Sequence, residues 1–435
     1  MAGAALFFVT MIHGVQAQPL TRIDNPASLT AALTTAKPGT VFDLAGGEYG
    51  PLTLTGLKGT TAAPITLRSA DPAHPARFSR MQLRGVSHVT LQGLTFDYRF
   101  DPGDKSHLRP FQITSAQGIT LTGNLFDGDT ARGVSAEDDG FPTAFGLSLR
   151  QTSQVRLDGN VIRNFYRGLV VSDSTDLTVR HNDVHDIRAD GMDFAQVDRV
   201  LIEGNHIHDF RRVVASADHA DMIQFWTRGT TRPSTDITIR GNILNSGTGM
   251  YTQSIFMRND LVDTGKAGRA MFYRRVVIEQ NIVINAHMNG IAVGETHNLV
   301  IRNNTVVRNA ASQGVADNPA RWTPQIRVAP TSTQVTVTAN VTSTVTGQDA
   351  QTGWTVADNY LIQDRSPRQS GYYDQVFVAA RSGDPTDLAS FAYLKGGPLA
   401  GKGIGAALLD KPPINLNGAQ VPGLRSSDDR AGVSE

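Results

Sequence analysis

Short runs in which apolar and polar residues alternate recur along most of this chain, and Gly, Asn or Asp closes each of them. Ile119-Thr120-Leu121, Leu177-Thr178-Val179, Val200-Leu201-Ile202, Ile237-Thr238-Ile239 and Val276-Val277-Ile278 are five such runs. Each precedes an Asn: Asn124, Asn182, Asn205, Asn242 and Asn281. Asn160 and Asn304 belong to the same series, and Gly stands before the Asn at Gly123, Gly159, Gly204 and Gly241. Period-2 alternation predicts half-buried strands and excludes amphipathic helices over these stretches. Asn160 to Asn182 spans 22 residues, and Asn182 to Asn205 and Asn281 to Asn304 span 23 each. A fixed interval of that size predicts stacked repeats.

The predicted fold is therefore all-β: a single-stranded, right-handed parallel β-helix, with one coil per interval and strands stacked about 4.8 Å apart. The recurring Asn is expected at a tight corner, in left-handed backbone, with each amide bonding the next. Asp24–Ala36 reads as a short N-terminal capping helix, with Asn25 or Ser28 as its cap and Leu29, Ala32 and Leu33 on one face. Four intervals are longer, at 36 to 39 residues, and their excess predicts loops at 127–143, 211–219, 227–234, 246–252, 260–273 and 310–323. The β-helix domain is expected over 18–365. Residues 366–435 are expected to pack a strand or two on the far end and then to run out as a flexible tail.

Composition narrows the partners. Lys plus Arg equals Asp plus Glu, 40 each, so no global field recruits nucleic acid or an anionic membrane. Cysteine is absent, which excludes disulfides and thiolate chemistry. Ala4–Thr10 is apolar and Val15-Gln16-Ala17 offers a small-residue cleavage site, so residues 1–17 read as a signal peptide. No segment is long enough to span a bilayer. The expected product is a monomer, secreted or periplasmic, from a bacterium.

Aligning the strand after each corner places Leu169, Met192, Ile223, Ile255 and Ile291 in one inward column. Val170, Asp193, Gln224, Phe256 and Ala292 form an outward column. Ser172, Ala195, Trp226, Arg258 and Gly294 form the next. Asp193, Gln224, Trp226 and Arg258 are thus expected as one exposed patch suited to a sugar acid. The ring would lie under a pyranose and the guanidinium would hold a carboxylate. Asp190 and Asp221 align one coil apart, beside His219. Stacked carboxylates repel unless they share a proton, a cation or an Arg. Gln253 and Lys266 lie in the adjoining coil and loop as substrate-binding candidates. His185 and His208 fall in register, as do Asp186 and Asp209, and read as a turn ladder. His206, His287 and His297 read as incidental. Glu137-Asp138-Asp139 is an acidic loop that suggests Ca²⁺ without matching a ligand spacing.

The run Pro38-Gly39-Thr40 through Phe42-Asp43-Leu44-Ala45-Gly46-Gly47-Glu48-Tyr49, followed by Gly59–Arg68, resembles the opening coils of secreted β-helix polysaccharide lyases. Alginate lyases and chondroitinase B are of this kind. Asp218-His219-Ala220-Asp221 loosely resembles the Asp-Pro-His-Asp motif of β-helix mannuronan C5-epimerases. The resemblance implies β-elimination on an alginate-like, uronic-acid-containing polysaccharide. His219 would be the base, oriented by Asp221 or Asp190. Arg258 and Gln224 would hold the carboxylate, with Ca²⁺ a candidate cofactor. Asp193 would contact hydroxyls and Trp226 would be the platform. A C5-epimerase, an inverting glycoside hydrolase of polygalacturonase type using Asp190, Asp193 and Asp221, and a non-catalytic glycan binder stand as alternatives.

Overall fold

Each coil of the chain visits three parallel sheets in turn. The computed structural model describes residues 20–315, 318–348 and 351–410. Sheet I has 13 strands, sheet II has 12 and sheet III has 11, each built from strands one coil apart. This is the right-handed parallel β-helix expected from the alternation. The signal peptide expected at 1–17 and the residues beyond 410 lie outside the described residues. No described helix is long and apolar enough to cross a membrane.

Inward apolar side chains from all three sheets fill one continuous core. Phe78, Phe96 and Phe126 stack along it, with ring centroids 5.8 and 4.7 Å apart. The Asn series forms the corner between sheets I and II. Each Asn Nδ2 donates to the next Asn Oδ1, from Asn124 through Asn160, Asn182, Asn205, Asn242, Asn281, Asn304 and Asn340 to Asn359, over 2.9–3.0 Å. The same Oδ1 accepts the backbone N–H of the preceding Asn, as Asn205 Oδ1 does from Asn182. One expectation is corrected here. The left-handed residue is the one before the Asn: Gly123, Gly159, His181, Gly204 and Gly241 all have φ between 53° and 67°. Glycine pays no Cβ penalty in that region, which accounts for the Gly-Asn pairs.

A helix at Pro26–Leu33 covers the N-terminal end. Asn25 caps it by accepting from Ser28 N while the Ser28 hydroxyl accepts from Asn25 N, and Leu29 is buried beneath. The far side departs from expectation. Beyond residue 366 no strand forms among the described residues. Instead a short helix at Tyr373–Val376 and turns carrying Phe377, Phe391, Tyr393, Leu399 and Leu409 pack on Ile282, Ile284, Val307 and Val341. Ile282 and Ile284 flank the core residue Val283 on their strand. Sheet II is therefore apolar on both faces there, and such a sheet must be covered on both.

The long loops flank sheet III. Segments 128–144, 209–219, 246–251 and 309–324 enter its strands, and 227–234 and 258–272 leave them.

Candidate active site

Register in sheet III follows the alignment read from the sequence. Leu169 pairs with Met192, Met192 with Ile223, Ile223 with Ile255 and Ile255 with Ile291. Asp193 pairs with Gln224, and Ala195 with Trp226. Two residues before the inward apolar position of each strand, another set lines up at the corner entering the sheet. Phe145 pairs with Arg167, and Asp221 with Gln253. Asp190 holds the same position between Arg167 and Asp221, and its Oδ1 accepts from Asp221 N at 3.2 Å.

Arg167 binds two carboxylates at once. Its Nη2 is 3.1 Å from Asp190 Oδ2, and its Nη1 is 2.7 Å from Asp193 Oδ2. On the other side His219 Nδ1 is 3.0 Å from Asp221 Oδ2 and 3.7 Å from Asp190 Oδ1. Gln224 Nε2 donates to Asp221 Oδ2 at 2.5 Å. Asp190, Asp193 and Asp221 have no accessible surface, whereas the His219 side chain is 54% exposed. Burial pushes all three carboxyls above the usual carboxylate range, and Arg167 pulls Asp190 and Asp193 back. The hydrogen bond that His219 donates to Asp221 lifts it to about 9. Three acids face two cations, so the cluster is one positive charge short of balance.

The loop that carries His219 is pinned by a buried guanidinium. Arg188 Nη1 is 2.6 Å from Asp138 and its Nη2 is 3.3 Å from Asp218, while its Cζ sits 5.2 Å from the Tyr166 ring centroid. Arg212 Nε adds a bond to Asp218 O at 3.0 Å. Asp138 is thus committed to Arg188, and Asp139 accepts from Val134 N, so the acidic loop is spent on its own anchoring.

Beside the cluster runs a cleft of about 410 Å³ lined by Arg109, Arg150, Gln196, Trp226, Arg228 and Thr230, among others. Arg167 links the two, its Cζ 5.7 Å from the Trp226 ring centroid and 5.4 Å from that of Phe145. Arg109 packs 4.7 Å over Phe145 and donates to Ser148 Oγ. Arg150 and Arg228 are exposed.

The expected patch is only partly assembled. His219, Asp221, Asp190, Asp193 and Gln224 come together, and Trp226 lines the cleft. Asp193 is not an exposed hydroxyl contact: Arg167 lies against it and it is fully buried. Arg258 turns to its own loop, 3.0 Å from Asp263 and 3.4 Å from Asp260. Lys266 is exposed beyond the short helix Asp260–Asp263, with its N–H bonded to Leu261 O. Gln253 is buried and accepts from Asn289 Nδ2 one coil on, away from the acids. Arg167 and Arg109 were missed. The strand alignment starts at Gly168 and Gly191, and extending it one residue upstream places Arg167 beside Asp190.

Asp190, His219 and Asp221 bring ligand atoms within 4.8 Å of one another. They do not fit Ca²⁺, which takes six to eight oxygens. Here the Arg167 guanidinium already stands between Asp190 and Asp193, and His219 offers nitrogen.

No curated protein matches the sequence. Among solved structures the chain is similar to the PL6 family alginate lyase AlyGC, at 15% identity over 91% of this chain and 59% of that one, with TM-score 0.46. An alginate lyase from Paenibacillus sp. str. FPU-7 aligns at 15% identity over 79% and 98%, with TM-score 0.37. PfbA, a surface adhesin of Streptococcus pneumoniae, aligns at 10% over 80% and 94%, with TM-score 0.46. The chain thus spans 59% of the length of AlyGC. The family model for the right handed beta helix region matches residues 79–230 and 144–348, which together make up more than half of the sequence. The chain belongs to the right-handed β-helix family.

Proposed function

We propose that the chain is a polysaccharide lyase that cleaves an acidic, uronate-containing polysaccharide of the alginate type by β-elimination, with His219 as base. One observation carries this reading: His219 is half exposed, while the acids that hold it have no accessible surface. An inverting hydrolase needs two carboxyls in contact with sugar and water. Asp190, Asp193 and Asp221 are all buried, which disfavours that alternative. A passive glycan binder has no use for two buried acids braced on an imidazole.

With Nδ1 held by Asp221, Nε2 is the ring nitrogen left for substrate. It takes the proton from C5 of the uronate. The electron pair left on C5 forms the C4–C5 double bond as the C4–O bond breaks, and the departing oxygen leaves as a hydroxyl after taking up a proton. The substrate carboxylate must be neutralised for C5 to lose its proton. Arg258 does not fill this role, because it is held by Asp260 and Asp263, and Arg109, which lines the cleft, would hold the carboxylate of another sugar residue along the bound polymer. Trp226 is the sugar platform, and Gln224 positions Asp221. Such polymers are met outside the cell, so export through residues 1–17 belongs to the same proposal.

The test is incubation of the full chain with polymannuronate, polyguluronate and polygalacturonate. Ultraviolet absorbance from an unsaturated uronate, rising with new reducing ends, supports the lyase. Reducing ends without absorbance, an altered residue ratio without cleavage, or no change on any polymer contradicts it.

A further inference from the structure

Sheet II carries three histidines, His185, His206 and His208, and Asp183 on its outer face, away from the cleft. Asp183 pairs with His206 and His185 with His208 across neighbouring strands, with Val184 and Ile207 between them in the core. His208 Nε2 is 2.8 Å from Asp183 Oδ1, and the His206 and His208 ring centroids are 3.9 Å apart. Ligand atoms of Asp183, His206 and His208 all lie within 4.8 Å. In the flanking coils the equivalent positions hold Val161 and Arg163 on one side and Ile243 and Asn245 on the other.

An ion-paired ladder accounts for only part of this. His208 between Asp183 and Asp209, at 2.8 Å from each, satisfies it alone. His206 adds nothing to the ladder. Its ring stacks on His208 and makes no hydrogen bond among the described residues, which leaves its ring nitrogens for a ligand. Asp209 meanwhile fixes His208 Nδ1 and leaves Nε2 facing Asp183, the arrangement by which a carboxylate orients a ligating imidazole. His208 Nε2 and Asp183 Oδ1, now 2.8 Å apart as a hydrogen-bonded pair, would part to about 3.3 Å around a tetrahedral zinc ion with ligands at about 2.0–2.1 Å. The face is half-buried, with Asp183, His206 and His208 each keeping some exposure. The C-terminal segment covers sheet II only as far as Asn245, whose Nδ2 donates to Pro385 O, and Arg163 is drawn aside by Asp127.

We propose that Asp183, His206 and His208 form a binding site for a divalent transition metal of the zinc class, separate from the candidate active site. Imidazole and carboxylate together select such a borderline cation over Ca²⁺.

The test is calorimetric titration of the untagged, chelator-treated full chain with Zn²⁺. His206→Asn/His208→Asn should lose one zinc equivalent, and His219→Ala should keep it. Asp209→Asn, which leaves all three ligands in place, should weaken binding by roughly 10–100-fold. Circular dichroism establishes that each variant folds. If the double variant does not fold, Asp209→Asn decides. The proposal is overturned if the parent chain takes up no zinc. It is equally overturned if the equivalent is lost in His219→Ala instead, or if the folded double variant, or in its absence Asp209→Asn, binds zinc as the parent does.

Discussion

His219 Nδ1 lies 3.0 Å from Asp221 Oδ2, joining an exposed imidazole to a carboxylate with no accessible surface. That bond holds His219 protonated up to about pH 9. A base must be unprotonated, so kcat/KM on the polymer should rise with pH from 6 to 9. Asp221→Asn removes the charge that favours the imidazolium. The rising limb should then move to lower pH by roughly 1–2 units. A pH–rate profile checks this, and a limb that stays in place would belong to another group.

Arg167 is the counter-ion of two buried acids. Arg167→Met leaves Asp190 and Asp193 without it and should cost about 3–5 kcal/mol at pH 8. The sign of the pH effect follows from burial. Both carboxyls are pushed up, so at pH 5 they are protonated at little cost and the loss should shrink. Urea unfolding at the two pH values measures the difference.

Arg150 and Arg228 line the cleft from exposed positions. Arg150→Gln/Arg228→Gln should weaken binding of an anionic oligosaccharide by roughly three- to tenfold at low salt, with the effect fading as salt screens the charges. Arg258→Ala should leave binding within about twofold, because that side chain serves Asp260 and Asp263. Titrations at two ionic strengths distinguish the cases.

Asn205 is almost completely buried within the amide ladder. Asn205→Leu strands Val179 O, the Asn182 backbone N–H and one of the two Asn182 Nδ2 hydrogens, the other staying on Leu157 O. At about 1–3 kcal/mol for each unsatisfied buried group, the loss should be roughly 3 kcal/mol or more. Equilibrium unfolding in urea is the readout.

The fold was legible because a solenoid repeats its signals. The inward column from Leu169 to Ile291 and the Asn series both come from local alternation at a constant interval. The left-handed corner was placed one residue late because Asn, like Gly, tolerates that region, and only backbone geometry separates the two. The site was half legible. Asp190, Asp221 and His219 share a register that the sequence displays. Arg167 escaped because the alignment began one residue after it, at Gly168. Arg258 misled because strand register says where a residue sits and not where a long side chain goes, and two acids in its own loop capture it. The C-terminal cover was missed because Ile282 and Ile284 look like ordinary strand residues until a second apolar face is found.

The most direct test compares wild type and His219→Ala on whichever uronate polymer the wild type attacks, following the ultraviolet absorbance of the unsaturated product. A positioned general base contributes about 10²–10⁴-fold. The account predicts that wild type generates the absorbance and that His219→Ala, folded by circular dichroism, loses at least about a hundredfold in kcat. Full turnover by the variant, or no absorbance from wild type on any uronate polymer, would contradict it.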